Sequence, residues 1–137
     1  MDMTATSLDR YLNKVTCGDC LELMRELPDE SVDLVVTDPP YGVGYKKKGD
    51  VIKCQIVRGR ERVHPTQKPL ELLTTLLKAT EDTKQIVLDP FLGSGTTAVA
   101  AERLGRQWIG FEISPEYCAI AEARIVKERA QLKIGGL

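Results

Sequence analysis

The stretch that most restricts how this chain can fold runs from Ile86 to Glu112. Ile86-Val87-Leu88-Asp89 is a short apolar run closed by an acid and a proline, which predicts a buried strand. It empties into Pro90-Phe91-Leu92-Gly93-Ser94-Gly95-Thr96-Thr97-Ala98, where Gly93-x-Gly95-x-x-Ala98 fits the nucleotide-binding fingerprint. Small residues at those positions let the backbone approach a ligand at a helix N-terminus. The pattern predicts a helix that continues to Leu104 and ends at Gly105, then a strand from Gln107 to Phe111 closed by Glu112. An acid at that distance from the glycines can hold ribose hydroxyls. Together these pieces predict an α/β chain built on a parallel sheet, with ligand contacts at its strand ends. A Walker phosphate loop is excluded, because no Lys-Ser or Lys-Thr follows the glycines.

The N-terminal third repeats the strand-then-acid arrangement. Lys14 to Cys17 is expected as a short strand, followed by a turn at Gly18-Asp19 and a helix carrying Leu21, Met24 and Leu27. Pro28-Asp29-Glu30-Ser31 closes that helix, and Val32 to Thr37 is the next apolar run. This β-α-β unit places Asp19 and Asp38 at strand C-terminal ends, the edge where open α/β sheets bind ligands. Asp19 reads equally well as a helix N-cap. After the second strand come Asp38-Pro39-Pro40-Tyr41. The prolines lack an N–H and fix φ, so this loop can present a carboxylate, bare carbonyls and a ring without folding into a helix. Such a set suits a planar amine-bearing ligand. The plainer reading has Asp38 capping a turn and Tyr41 packing.

Residues 1–13 are expected to be loose, Met1 to Asp9 being polar. Residues 42–63 form a short basic bridge, glycine-rich at its start, in which only Val51 to Val57 resembles a strand. From Lys46 to Arg62 its charge is +5 within a chain of net charge −1, so the remainder is acidic. It reads either as a solvated loop or as a phosphate-contacting arm, with Lys46, Lys47, Lys48, Arg58 and Arg60 the candidate contacts. His64-Pro65-Thr66-Gln67-Lys68-Pro69 introduces a helix with an apolar stripe of Leu72, Leu73, Leu76 and Leu77, placing Thr66 and Lys68 at its positive end. Ser114-Pro115-Glu116 caps a last helix, which Tyr117, Ala121 and Ile125 line to about Gln131, before a loose Gly135-Gly136 tail.

At 137 residues the chain is one domain, long enough to bury a core without disulfide or metal staples. Cys17-x-x-Cys20 invites a zinc or redox reading, but no second Cys or His pair stands at ligand spacing, so no metal is expected. Neither a signal core nor a membrane-length apolar run is present, and the expectation is a cytoplasmic protein with no membrane partner.

In this order the motifs resemble the amino-methylating DNA methyltransferases, the N6-adenine and N4-cytosine group, in the permuted arrangement where the catalytic motif precedes the cofactor motif. The residues that carry the resemblance are Gly18-Asp19-Cys20-Leu21, Asp38-Pro39-Pro40-Tyr41, His64 to Pro69, Asp89-Pro90-Phe91-x-Gly93-Ser94-Gly95-Thr96-Thr97 and Gly110 to Tyr117. The resemblance implies a Rossmann-like S-adenosylmethionine-dependent fold with helices on both faces of a reduced open parallel sheet. It implies S-adenosylmethionine across the strand ends, its methionine portion near Asp89, Phe91, Gly93, Ser94, Gly95, Thr96, Thr66 and Lys68. Glu112 would take the ribose hydroxyls and Asp19 would reach the adenine. It also implies a DNA base flipped onto Tyr41, its exocyclic amine held by Asp38 and the Pro39 carbonyl beside Pro40. The leading Asp of the tetrapeptide leans toward adenine over cytosine.

Only 22 residues separate Tyr41 from His64. Family members of this arrangement usually place there the remaining strands and a target-recognition region, together about a hundred residues, the size of a small domain. By family analogy the surviving strands would form the 3-2-1-4 half of the sheet, leaving Val32 to Thr37 at an edge. A homodimer, a second polypeptide or the Val51 to Val57 segment would cover such an edge. Three readings follow: a minimal DNA adenine methyltransferase, a cofactor-binding remnant or partner-dependent half-enzyme, and, on the glycines alone, a nicotinamide-dependent oxidoreductase. The last leaves Asp38-Pro39-Pro40-Tyr41 and His64 to Pro69 unexplained.

Overall fold

A computed structural model of the chain describes residues 6–36, 70–80 and 84–135. Four strands, β1 (Val15–Cys17), β2 (Leu34–Val35), β3 (Ile86–Asp89) and β4 (Gln107–Glu112), pair in parallel in the order β1-β4-β3-β2. Counting β3 as the first strand, β4 as the second, β1 as the third and β2 as the fourth, this is the 3-2-1-4 order expected from the resemblance, with β2 at one edge among the described residues. The β2 ladder is short, yet Asp33 N–H donates to the Ile86 carbonyl at 3.0 Å and Val36 N–H to that of Leu88 at 2.9 Å, so parallel pairing continues on both sides of it. In register, Cys17 stands beside Glu112 and Asp89 beside Gly110. The C-terminal ends of β1, β3 and β4 therefore meet at one edge of the sheet.

The sheet is covered on both faces, and the two-residue period of the strands decides which side chain goes where. Val87 and Trp108 face α2 (Leu70–Lys78), α3 (Thr96–Arg103) and α4 (Pro115–Gly135), in a core shared with Leu73, Leu77, Ala98, Ala101, Ala121 and Ile125. Leu88, Ile109 and Phe111 face the other way, onto Tyr11 and the side chains of α1 (Cys20–Arg25).

Several expectations are corrected. The N-terminus is not loose from residue 6 onward: residues 7–13 form consecutive turns packed on the sheet. Tyr11 is only 3% exposed, and its ring meets that of Phe111 edge-on at 5.7 Å. Asn13, at φ 57, acts as an extra rung beside β4, donating its N–H to the Trp108 carbonyl at 2.7 Å and accepting from Trp108 N–H through Oδ1 at 3.1 Å. Polarity along the sequence hid this, because the segment is held by one aromatic ring and backbone hydrogen bonds. In α1, Cys20, Leu23 and the expected Met24 face inward, with the expected Leu27 just beyond the helix, whereas Leu21 is 63% exposed. In α2, Leu72, Leu73 and Leu77 are buried and Leu76 is partly exposed. Helix α4 runs through Gly135, past the expected end at Gln131, with Cys118, Ala121, Ile125 and Glu128 inward. Burial of Glu128 rests on Arg103, which donates to its carboxylate through Nε at 2.6 Å and Nη2 at 3.2 Å. A carboxylate on the core face breaks the apolar period, which is why the inward stripe reads as ending early.

Candidate active site

At the edge where β1, β3 and β4 end, a cleft of about 340 Å³ is lined by Gly18, Asp19, Cys20, Leu21, Pro90, Phe91, Glu112 and Ile113. That volume falls in the range of small-molecule sites, about 300–1,000 Å³. Three apolar side chains stand around it with most of their surface in solvent: Leu21, Phe91 at 59% exposed and Ile113 at 69%. Exposed apolar groups gathered on one concavity are the usual mark of a binding surface.

Each polar residue of the cleft is placed by the strand that ends at it. Asp19 follows β1 and caps α1, its Oδ1 accepting from Leu21 N–H at 2.8 Å. The N-cap reading of Asp19 and its place in a cleft are thus both met by one side chain. Asp89 ends β3, is 1% exposed and lies behind the cleft rather than on its wall. Its Oδ2 accepts from Thr97 Oγ1 at 2.6 Å and its Oδ1 from Phe91 N–H at 3.0 Å, so the carboxylate ties the strand end to the turn after it and to the first turn of α3. Glu112 ends β4 and bridges two loops, Oε1 accepting from Gly93 N–H at 3.1 Å and Oε2 from Ser114 N–H at 2.8 Å.

The glycine loop between β3 and α3 turns on left-handed residues, Gly93 at φ 60 and Gly95 at φ 89. At Gly95 a Cβ would come within 2.9 Å of Ala121 Cβ and 3.1 Å of its Cα, so the loop lies directly on the backbone of α4. Ser94 and Thr96, expected near a ligand, are buried on that side instead. Their hydroxyls accept from Arg124 Nη1 of α4, each at 3.1 Å, and the Ser94 carbonyl accepts from the same nitrogen at 2.7 Å. Burial pushes the Arg124 guanidinium below its usual range, with Arg103 adding to the effect.

Of the residues expected at the site, the structure brings Asp19, Phe91 and Glu112 onto the cleft, whereas Asp89, Gly93, Ser94, Gly95 and Thr96 lie behind it in the strand end and the glycine loop. Asp38, Pro39, Pro40, Tyr41, Thr66, Lys68, Lys46, Lys47, Lys48, Arg58 and Arg60 lie outside the described residues. Sequence reasoning missed Thr97, Ile113 and Arg124. Arg124 carried a readable signal, a cation three residues after Ala121 beside the apolar face of its helix.

The cysteines of the Cys17-x-x-Cys20 pair part company. Cys17 ends β1 and its thiol points to the Ile113 carbonyl at 3.8 Å, while Cys20 packs against the Tyr11–Phe111 core. Cys118 lies beside Cys17, its thiol donating to the Glu112 carbonyl at 3.3 Å. Burial first, then the neighbouring Cys17, pushes the Cys118 thiol up to about 12. Among the described residues no three His, Cys, Asp or Glu side chains are grouped to hold a metal ion, and no helix is long and apolar enough to cross a membrane.

Known proteins share both the sequence pattern and this architecture. Type II methyltransferase M2.DpnII of Streptococcus pneumoniae is 49% identical over 65 residues, and M2.LlaDCHI of Lactococcus lactis subsp. cremoris is 48% identical over 64. Each match takes in 47% of this chain and 24% of the relative, so the chain spans about a quarter of the length of these curated relatives. Among solved structures, the M1.HpyAVI–SAM complex superposes with a TM-score of 0.62 at 20% identity, covering 81% of this chain and 98% of that one. TTHA0409 of Thermus thermophilus, solved with S-adenosyl-L-methionine, gives a TM-score of 0.62 at 19% identity over 84% of this chain and 95% of its own. At such identities the likeness speaks for the fold. The profile of the family described as DNA methylase matches residues 45–123, more than half of the chain and including the whole of the glycine loop and β4. With a strand order, a glycine loop and paired strand-end acids that agree with that match, the chain belongs to the DNA methylase family.

Proposed function

We propose that this chain transfers a methyl group from S-adenosylmethionine to the exocyclic N6 amine of a flipped adenine in DNA. The observation that carries the reading is the cleft at the ends of β1, β3 and β4, where Asp19, Phe91 and Glu112 meet beside a left-handed glycine loop. The donor set fits the cofactor. Glu112 keeps unused lone pairs on two oxygens that already accept one N–H each, enough for a ribose diol. The exposed faces of Leu21, Phe91 and Ile113 suit a purine, and Asp19 stands at the end of the same cleft to accept from an exocyclic amine.

When bound, S-adenosylmethionine supplies an electrophilic methyl group on a sulfonium sulfur. The work left to this chain is to bind the target amine and aim it. That amine is a weak nucleophile, because its lone pair is delocalised into the ring. In this reading the Asp38 carboxylate and the Pro39 carbonyl accept its two N–H groups, which localises the pair on nitrogen and orients it for in-line attack on the methyl carbon. As the N–C bond forms the C–S bond breaks, its pair staying on the departing thioether sulfur, and the surplus amine proton leaves by way of the Asp38 carboxylate to solvent. Tyr41 stacks on the base, a contact worth about 1–3 kcal/mol in other single-strand complexes. Lys46, Lys47, Lys48, Arg58 and Arg60 supply phosphate contacts, and Thr66 and Lys68 flank the methionine end of the cofactor.

A second reading is favoured by two facts: the chain spans about a quarter of its curated relatives, and only 22 residues separate Tyr41 from His64. In that reading it binds cofactor and depends on a second polypeptide for turnover. Transfer of labelled methyl to unmethylated DNA by the purified chain, with nucleoside analysis and an Asp38→Ala control, tests both. Labelled N6-methyladenine that disappears in the control supports the enzyme. Labelled N4-methylcytosine moves the target to the other base. No label with cofactor binding intact supports the partner-dependent reading.

A further inference from the structure

Helix α4 contributes no side chain to the cleft described above, yet one of its residues reaches the loop behind it. Arg124 Nη1 lies within hydrogen-bonding distance of three oxygens of that loop, so that one of its two N–H groups is shared: the Ser94 carbonyl at 2.7 Å, Ser94 Oγ at 3.1 Å and Thr96 Oγ1 at 3.1 Å. None of the three is charged. Glu128, one turn further along α4, gives its carboxylate to Arg103. A partly buried cation whose hydrogen bonds go to neutral oxygens, with Glu128 acting on it only through space, is a costly way to pack a helix on a loop. An apolar side chain of similar length would fill the space more cheaply, but it could not hold a carbonyl in place.

What the cation secures is a conformation. Residues 93–95 contain two glycines, which have many backbone states open to them, and here both are left-handed. Ser94, between them, is the residue whose carbonyl and hydroxyl Arg124 takes. The Ser94 carbonyl shares a peptide with Gly95 N–H, which donates to the Leu92 carbonyl at 3.1 Å; that carbonyl shares a peptide with Gly93 N–H, which points at Glu112 Oε1. We propose that Arg124 is the positioning residue of the cofactor loop: by locking Ser94 and Thr96 onto α4 it preorganises Gly93 and Glu112 for S-adenosylmethionine. The proposal rests on the reading of the cleft as the cofactor site. Its physical basis is that a loop already held in its binding geometry loses less entropy when ligand arrives.

Because one nitrogen carries all three bonds, a lysine ammonium, with three N–H groups on one nitrogen, is a fair substitute, whereas methionine is not. The test is S-adenosylmethionine binding by calorimetry to the full chain and its Arg124→Met, Arg124→Lys and Arg103→Met variants, with thermal unfolding of each. The expected result is that R124M weakens binding at least about tenfold, R124K stays within about threefold of the parent, and R103M lowers the melting temperature with affinity retained, as preorganisation at one loop predicts. Unchanged affinity in R124M overturns the proposal, and so does a loss that R124K fails to restore and R103M reproduces. Should R124M not fold, the Ser94→Ala/Thr96→Val variant removes two of the three acceptors, and parental affinity in it is equally damaging. A parent chain that binds no S-adenosylmethionine brings down the cofactor reading itself, whereas binding that ignores Arg124 leaves that reading standing.

Discussion

The N–H of Gly93 lies 3.1 Å from Oε1 of Glu112, across a span of nineteen residues. The acid at the end of β4 is therefore a structural tie before it meets any ligand, since its other oxygen holds Ser114 N–H at 2.8 Å. One carboxylate fixes the loop after β3 and the loop after β4 against each other. Both loops border the cleft.

Glu112→Gln is expected to be worse than a loss of charge. The amide offers one acceptor and one donor where two N–H donors converge, so either Gly93 or Ser114 faces an N–H group. Replacing an ionic acceptor in this way costs about 1–3 kcal/mol. Denaturant unfolding of the variant checks the figure, and a midpoint equal to the parent's would show that water replaces the tie without cost.

Thr97→Val removes the hydroxyl that donates to Asp89 Oδ2 at 2.6 Å while keeping the shape of the side chain. Asp89 is 1% exposed, and solvent cannot easily reach the acceptor left behind. The expected loss is about 1.5–3 kcal/mol, the worth of a hydrogen bond to a charged group. Thr97→Ser, which keeps the donor, should recover most of it in the same unfolding measurement.

Gly95→Ala meets two obstacles at once. Its φ of 89 is a conformation that an L side chain resists, and its new Cβ would sit 2.9 Å from Ala121 Cβ and 3.1 Å from Ala121 Cα. A destabilisation of about 2–3 kcal/mol follows from strain and overpacking together. Adding Ala121→Gly removes the clash between the two methyl groups, but the crowding against the backbone of α4 and the strain both stay. The double variant should regain only part of the lost stability, and full recovery would assign the whole cost to the methyl clash.

What could be read in the sequence, and what could not, follows from the range of the interactions. Ile86 to Glu112 was legible because strand, glycine turn, helix and acid are local patterns, and β3, α3 and β4 fall where they predict. The sheet order came with the family resemblance. Tyr11 was illegible because its burial depends on Phe111, a hundred residues away. Ser94 and Thr96 were expected to face a ligand and instead face Arg124, since a loop sequence does not say which side of it a helix will cover. Around α1, Met24 and Leu27 face the core as their spacing predicts, and Leu21 alone departs: it falls on the cleft side, while Cys20 and Leu23 complete the inward stripe.

A thiol beside the same acid makes stability depend on pH. Cys118 is buried under the first turn of α4, and its thiol is pushed up to about 12, by burial first and by the adjoining Cys17 next. In the unfolded chain it returns to an ordinary thiol value near 9. Between those two values the folded state holds a proton that the unfolded state has released, so stability falls as pH rises through that window and is unaffected by this group below it. Cys118→Ser keeps a donor for the Glu112 carbonyl but does not titrate there, and its melting temperature should decline less steeply than the parent's from about pH 9 upward, by the same linkage. Iodoacetamide at about pH 8, followed by peptide mapping, should label exposed Cys17 in the native protein and Cys118 only after unfolding, because the thiolate is the nucleophile. Native labelling of Cys118 as fast as that of Cys17 would mean that the first turn of α4 opens readily, and the alkaline slope would then be absent as well.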